Sequence, residues 1–425
     1  MGVMYRTLIR ALAPRDEGAP AYGEHQPRNF VLGIAALVLS KLADALADAK
    51  VVLPSLLSAA GAPGAVIGAL VPVREAGSLP PQIPVAARVA RTRLRKRVWS
   101  AAAAVQGLGA LGLAACALTL SGTAAGIGAL ACLAVMATAR SAASVSHKDA
   151  LARTVAKTRR GTVSGVAGTL GAAGGVAFGA ALATGLLPST AAVVGGAVAL
   201  AGLLWLGAAA VFLGLRETPP DRDDDAPPPA LGLAPLRDAQ LRRFVATRAL
   251  LTATALAPPH LVMQSWLERG DALGGVEPLV PASAAASVLS SYARGRLSDR
   301  SSRRTPALSA GLGAGTLAAC AAAGAATGGL GGLWGAAAAM FALQLAYAGV
   351  RLARKTHLTD MAPDESRAGW TAVADTLIGA VLLAGPLLGW LAESAGAAWT
   401  LGLLALLCAV AAPAALTLEE EQSRA

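Results

Sequence analysis

Lys41, Asp44 and Asp48 stand three and four residues apart inside a long apolar stretch, a spacing that places all three on one face of a helix. Ionised groups are costly in such a stretch, so they are candidates for function. Arg74 and Glu75 lie halfway along the next apolar stretch. A pair between Arg74 and Asp44 or Asp48 would offset the burial cost, and a carboxylate released from it could carry a proton. The same residues could instead form a structural ion pair that never titrates, and Asp48 and Lys50 could simply reach the outer headgroups. A sparser set lies further on: Thr247, Arg248, Thr252, His260 and Gln264, then Ser283, Ser287 and Ser291, then Gln344, Tyr347 and Asp375. His260, Gln264, Gln344, Tyr347 and Asp375 are the candidates to line a cavity. Hydroxyls on membrane helices more often bond a backbone carbonyl or a neighbouring helix.

The elements that must position these groups are apolar helices. Of 425 residues 55% are hydrophobic, 14% charged and only 4% aromatic, so the apolar mass is Ala, Leu, Val and Gly, suited to close packing in lipid. A span needs about 20 apolar residues. Runs of that kind fall at 30–57, 62–86, 98–120, 123–143, 161–186 and 190–215, and again at 244–266, 276–293, 305–326, 330–350, 369–391 and 397–416. The segment 1–29 has no short apolar core before a small-residue cleavage site, so no cleaved signal is expected there.

The linkers sort into two alternating sets. One is basic: the N-terminus, the run from Arg88 to Arg97, the loop holding Lys148, Arg153, Lys157, Arg159 and Arg160, and their second-half counterparts through Arg367. The other is short and nearly neutral, with Arg269 its clearest cation. The positive-inside rule puts the basic set and both termini in the cytoplasm. It also accounts for the net charge of +11 without a nucleic-acid partner, since no run interleaves aromatics with basic residues.

The charged, Pro-rich stretch 216–243 cannot span and reads as a cytoplasmic linker between the segments 30–215 and 244–416, with a tail over 417–425. An internal repeat supports that division. Residues 145–170 align without gaps to 352–377, with identities at Lys148/Lys355, Leu151/Leu358, Arg160/Arg367, Val166/Val373, Ala167/Ala374, Thr169/Thr376 and Leu170/Leu377. Pro54 and Pro259 hold similar places in the first and seventh spans. Duplicated six-helix halves are a secondary-transporter architecture.

The run ARGRLSDRSSRR, between the eighth and ninth spans, resembles the cytoplasmic signature loop of the major facilitator superfamily. Gly295, Asp299, Arg300, Arg303 and Arg304 match its pattern, while Ser302 stands where the family usually has glycine. The resemblance implies a gate in which Asp299 caps a helix start in the opposite half, near Gly161 and Thr162, as a carboxylate at a positive dipole end. The equivalent loop 87–97 has the cations but no acid. LPSLLSAAGAPGAVIGALV is similar to the family's first hairpin, and VREAGSLPPQ and SVSHKDALARTVAKTRRG resemble a branch of uncharacterised permeases that supplies no substrate.

Other chemistries find no support. GLGALG, within the third span, follows no strand, no GxxxxGK[ST] exists, and no nucleophile, base and orienter group together in the loops. Cys116, Cys132, Cys320 and Cys408 sit singly in apolar spans, and His25, His147 and His357 lie outside them. No metal, cofactor or enzymatic activity is expected. The expected protein is an all-α, twelve-span bundle of two pseudo-symmetric halves in the cell (inner) membrane, a monomer. It would move an unknown small molecule by alternating access, coupled to protons. Facilitated diffusion through the same fold, a membrane scaffold and a membrane-embedded enzyme are the competing readings.

An alkaline phosphatase fused after Ala425 should be inactive in a bacterial host, and a fluorescent protein there should fluoresce; an active phosphatase would overturn the orientation.

Overall fold

The computed structural model describes residues 25–77, 92–217, 234–269, 273, 276–297, 304–361 and 367–418. Among these residues there is no strand. The first half of the chain contributes α1 (Gln26–Leu46), α2 (Val52–Ala59), α3 (Gly64–Ala76), α4 (Arg95–Thr119), α5 (Gly122–Thr154), α6 (Lys157–Ala183) and α7 (Ala191–Leu213). A short 3-10 turn (Ala234–Arg237) precedes α8 (Ala239–Leu251), α9 (Ala253–Arg269), α10 (Val276–Leu297) and α11 (Arg304–Thr327). Last come α12 (Gly332–Met361), α13 (Arg367–Leu382), α14 (Gly385–Ser394) and α15 (Ala397–Leu416).

Eight helical segments among the described residues are long and apolar enough to cross a bilayer. They fall in the first, third to sixth, ninth, eleventh and twelfth of the expected spans. The second, seventh, eighth and tenth are shorter, interrupted or more polar. Pro72 lies in α3, Pro258 and Pro259 in α9, and Pro281 in α10. Low hydropathy fits helices whose faces meet protein rather than lipid.

Burial is inside-out relative to a soluble protein. Leu108, Ile127, Leu203, Leu308 and Leu406 are all at least half exposed, while Ser55, Ser141 and Thr254 are fully buried. Trp334, Trp390 and Trp399 are 82%, 62% and 73% exposed and lie near one end of α12, α14 and α15, as interfacial tryptophans do.

Several boundaries differ from the sequence reading. The first span is two helices, because Ala47 to Val51 leave helical geometry and α2 starts afresh. The basic residues Lys148, Arg153, Arg351, Arg354 and Lys355 are not in loops: α5 and α12 continue through them, since nothing in these stretches breaks a helix. Helix α8 begins within the expected linker, where the Asp238 side chain accepts a hydrogen bond from Leu241 N at 2.9 Å. Both copies of the repeat form the end of a long helix followed by the start of the next, α5 to α6 and α12 to α13.

The two halves of the chain meet where α6 packs on α10 and α3 packs on α13 and α14. Small residues let them approach. Gly64 and Gly68 of α3 face Gly385 and Gly389 of α14, and a Cβ added at Gly68 would lie 2.7 Å from the Gly389 Cα. On the second seam Gly175 and Gly179 of α6 meet Ala284 and Pro281 of α10. Such small-xxx-small surfaces are how helices associate in lipid, where no hydrophobic drive separates them from the tails.

Gly68→Leu should force α3 and α14 apart and lower stability by roughly 1–3 kcal/mol, read as a fall in melting temperature. Gly196→Leu, at an exposed position with nothing within 4 Å of the new Cβ, is the control. Equal melting of the two variants would contradict the close approach.

Candidate functional site

The break in the first span builds the site. After α1 ends at Leu46, Asp48 turns back on the chain, and its Oδ1 accepts from Lys50 N at 3.0 Å and Val51 N at 2.9 Å. Two amides of the turn that leads into α2 are thereby satisfied. Pro54 falls in the first turn of α2, where its missing N–H does no harm. Asp48 therefore holds this turn instead of pairing with Arg74.

Asp44, one turn earlier, gathers cations from three helices. Arg140 of α5 grips it with two nitrogens, at 2.5 and 3.0 Å; Arg74 of α3 reaches it at 3.0 Å and Lys41 of α1 at 3.4 Å. A forked guanidinium on a carboxylate is among the stronger polar contacts in proteins. The pair Asp44 with Arg74 was readable from the sequence. Arg140 was overlooked, although it is the sole charge within the expected span 123–143.

Glu75, beside Arg74, accepts a hydrogen bond from the Tyr347 hydroxyl of α12 at 3.0 Å, a bond between the two halves of the chain. The Lys50 ammonium lies over the face of the same ring, 3.0 Å from its centroid, and the Arg351 guanidinium sits 5.7 Å from it. Lys50 is thus inside the protein, only 7% exposed, and does not reach outer headgroups. Lys41, Asp44, Asp48, Arg74 and Glu75 form one polar layer together with Tyr347.

The remaining candidates are spread out. Asp375 of α13 pairs with Arg248 of α8 at 2.6 Å. Gln344 of α12 donates to Ser283 of α10 at 2.8 Å, and Gln264 of α9 donates to the Gly328 carbonyl at 2.8 Å. His260 is 1% exposed and its Nδ1 has no partner. In the signature loop Gly295 belongs to α10 and Arg304 opens α11, while Asp299, Arg300 and Arg303 lie outside the described residues. The expected meeting of Asp299 with the start of α6 lies outside them too.

A second charged knot was not anticipated. The Glu217 side chain, 0% exposed, accepts from Arg95 N at 3.1 Å, Lys96 N at 2.9 Å and Arg153 Nη1 at 3.2 Å. It caps the positive end of α4 after the chain leaves α7. Lys96 in turn donates to the Leu213 and Leu215 carbonyls at the other helix's negative end, at 3.2 and 2.6 Å. Helix-capping acids of this kind follow from the spatial meeting of distant segments and leave no local pattern.

At the opposite end the halves are latched. Glu393, closing α14, accepts from Gly64 N at 3.1 Å, and Glu277 of α10 accepts from the Ser189 hydroxyl at 2.7 Å. Among the described residues no cluster of His, Cys, Asp or Glu could hold a metal ion.

Neither a family model nor a curated protein matches the chain by sequence. Solved structures do match. The nucleoside transporter NupG superposes with a TM-score of 0.72 at 11% identity, covering 91% of this chain and 99% of that one. A POT family transporter in complex with a thioalcohol-conjugated peptide gives 0.69 at 12% identity, over 92% and 95%. FucP, a Major Facilitator Superfamily transporter captured in the outward conformation, gives 0.52 at 15% identity, over 92% and 98%. With eight helices among the described residues long and apolar enough to cross a bilayer, this multi-pass membrane protein has the fold of the major facilitator superfamily transporters.

Proposed function

We propose that this protein is a secondary transporter of a small solute, working by alternating access and coupled to protons. Twelve spans form two six-helix bundles, 30–215 and 244–416, joined by a cytoplasmic linker over 216–243, in the inner membrane. The observation that carries the reading is the charged layer at a broken first span, placed where the two halves meet. Broken helices at mid-depth are where secondary transporters of several folds bind their substrates. The similar structures include a nucleoside transporter and the Escherichia coli fucose:proton symporter FucP, which favours a solute and a proton.

The latched end, with Gly64, Ser189, Glu277 and Glu393, is the outer one in this reading, so the conformation is inward-facing. The loop with Gly295, Asp299, Arg300, Arg303 and Arg304 is the cytoplasmic gate.

The two buried acids divide the work. Asp44, held by three cations, clamps α1, α3 and α5; to carry a proton it would have to give up the Arg140 fork. Glu75 is bonded across the halves by a neutral phenol, so a change of conformation changes its partner. It is the better placed proton carrier.

Transport in reconstituted vesicles with and without an imposed pH gradient tests this. Glu75→Gln should abolish gradient-driven accumulation and retain exchange, because the neutral amide mimics the protonated acid. Accumulation that ignores the gradient in the parent protein would favour facilitated diffusion; accumulation retained by Glu75→Gln would remove Glu75 from the coupling role. Asp44→Asn should instead leave Arg140 and Arg74 without a counter-ion and destabilise the protein by about 3 kcal/mol, the low end for a buried pair because Arg140 is 34% exposed. Arg140→Gln in the same chain should restore part of the lost melting temperature; no loss in Asp44→Asn would refute the clamp.

A further inference from the structure

We infer that the transported solute is an organic anion whose acidic group, a carboxylate, phosphate or sulfonate, docks on the Lys50 ammonium. The inference rests on the transporter reading and adds the substrate class to it.

Lys50 is a buried cation without a counter-ion. It is 7% exposed, its backbone N–H is bound to Asp48, and its ammonium has only the face of the Tyr347 ring as an immediate partner. No carboxylate lies within ion-pairing distance of it among the described residues. The charges that act on it at longer range are Glu75 and Asp48, balanced by Arg351 and Arg74. Both acids are already engaged, Asp48 by two amides and Glu75 by the Tyr347 hydroxyl.

The imbalance extends through the layer. Among the described residues Asp44 is the one carboxylate paired directly with Lys41, Arg74 and Arg140. With Lys50 and the exposed Arg351 included, cations outnumber acids, and for the buried Lys50 an unbalanced charge is expensive. An aromatic face stabilises an ammonium less than an anion would in a desolvated site, so Tyr347 holds the lysine in place without neutralising it. A cation-rich layer also raises the local concentration of anions. A neutral or cationic solute would leave Lys50 unbalanced.

The test is thermal stability of purified protein against a library of carboxylates, organic phosphates and sulfonates, beside neutral and cationic analogues of the same skeletons. Anions should raise the melting temperature, and Lys50→Gln should weaken that binding at least tenfold while Lys50→Arg keeps most of it. Without ligand, Lys50→Gln should melt at or above the parent temperature, because an unbalanced buried charge has been removed. Stabilisation by neutral or cationic compounds instead, by no anion at all, or by anions equally well in Lys50→Gln, would overturn the inference. So would an effect obtained only with nanodiscs containing phosphatidylglycerol, which would make the ligand a lipid headgroup. Counterflow of the bound anion in vesicles is read separately: anion binding through Lys50 without flux would sink the transporter reading and leave the anion site standing.

Discussion

One carboxylate organises the first half of this molecule. Asp44 lies where α1, α3 and α5 converge, and Arg140, Arg74 and Lys41 all turn toward it. In an apolar setting these cations have few other ways to be compensated, so the three helices are held in one arrangement. Beyond Asp44 the chain ends α1 and restarts as α2 after a turn held by Asp48, and the Lys50 side chain reaches Tyr347 on the far half.

Contacts within a half and between halves differ in kind. The ion pairs of Asp44, of Glu217 with Arg153, of Asp149 with Arg95 and of Asp375 with Arg248 each join helices of the same half. Between the halves the contacts among the described residues are glycine seams, single hydrogen bonds at Gly64, Ser189 and Glu75, and the Lys50 ammonium on the Tyr347 ring. Charged knots resist rearrangement, whereas close-packed small residues can part without stranding a charge. A molecule so divided can move as two rigid bodies that rock on each other.

Much of this was legible in the residues. Apolar runs gave the helices of α4, α7 and α15 within a few residues, because long stretches of Ala, Leu and Val between turn residues have one stable form in lipid. The shared face of Lys41 and Asp44 follows from their spacing, whereas the residues left Asp44 and Asp48 both open as partners for Arg74. What the sequence hid depends on tertiary meetings. The break at Ala47 to Val51 carries no proline or glycine, so nothing local announces it. Arg140 and Glu217 acquire meaning only from where their helices pack. The GxxxG pattern of Gly64 and Gly68 carried no weight in a chain with 48 glycines, yet it faces an equivalent pattern at Gly385 and Gly389.

The central claim is that the two halves exchange which end is closed. Spin labels at Leu186 and Trp334 report the latched end, and labels at Arg97 and Thr417 the other, all four positions being exposed in the present conformation. Distances for the two pairs, measured by electron–electron double resonance in nanodiscs over about pH 5 to 8, where carboxylates and histidines titrate, test it most directly. Alternating access predicts that lengthening of the first distance accompanies shortening of the second. Two distributions that stay fixed, or that lengthen together, would contradict it.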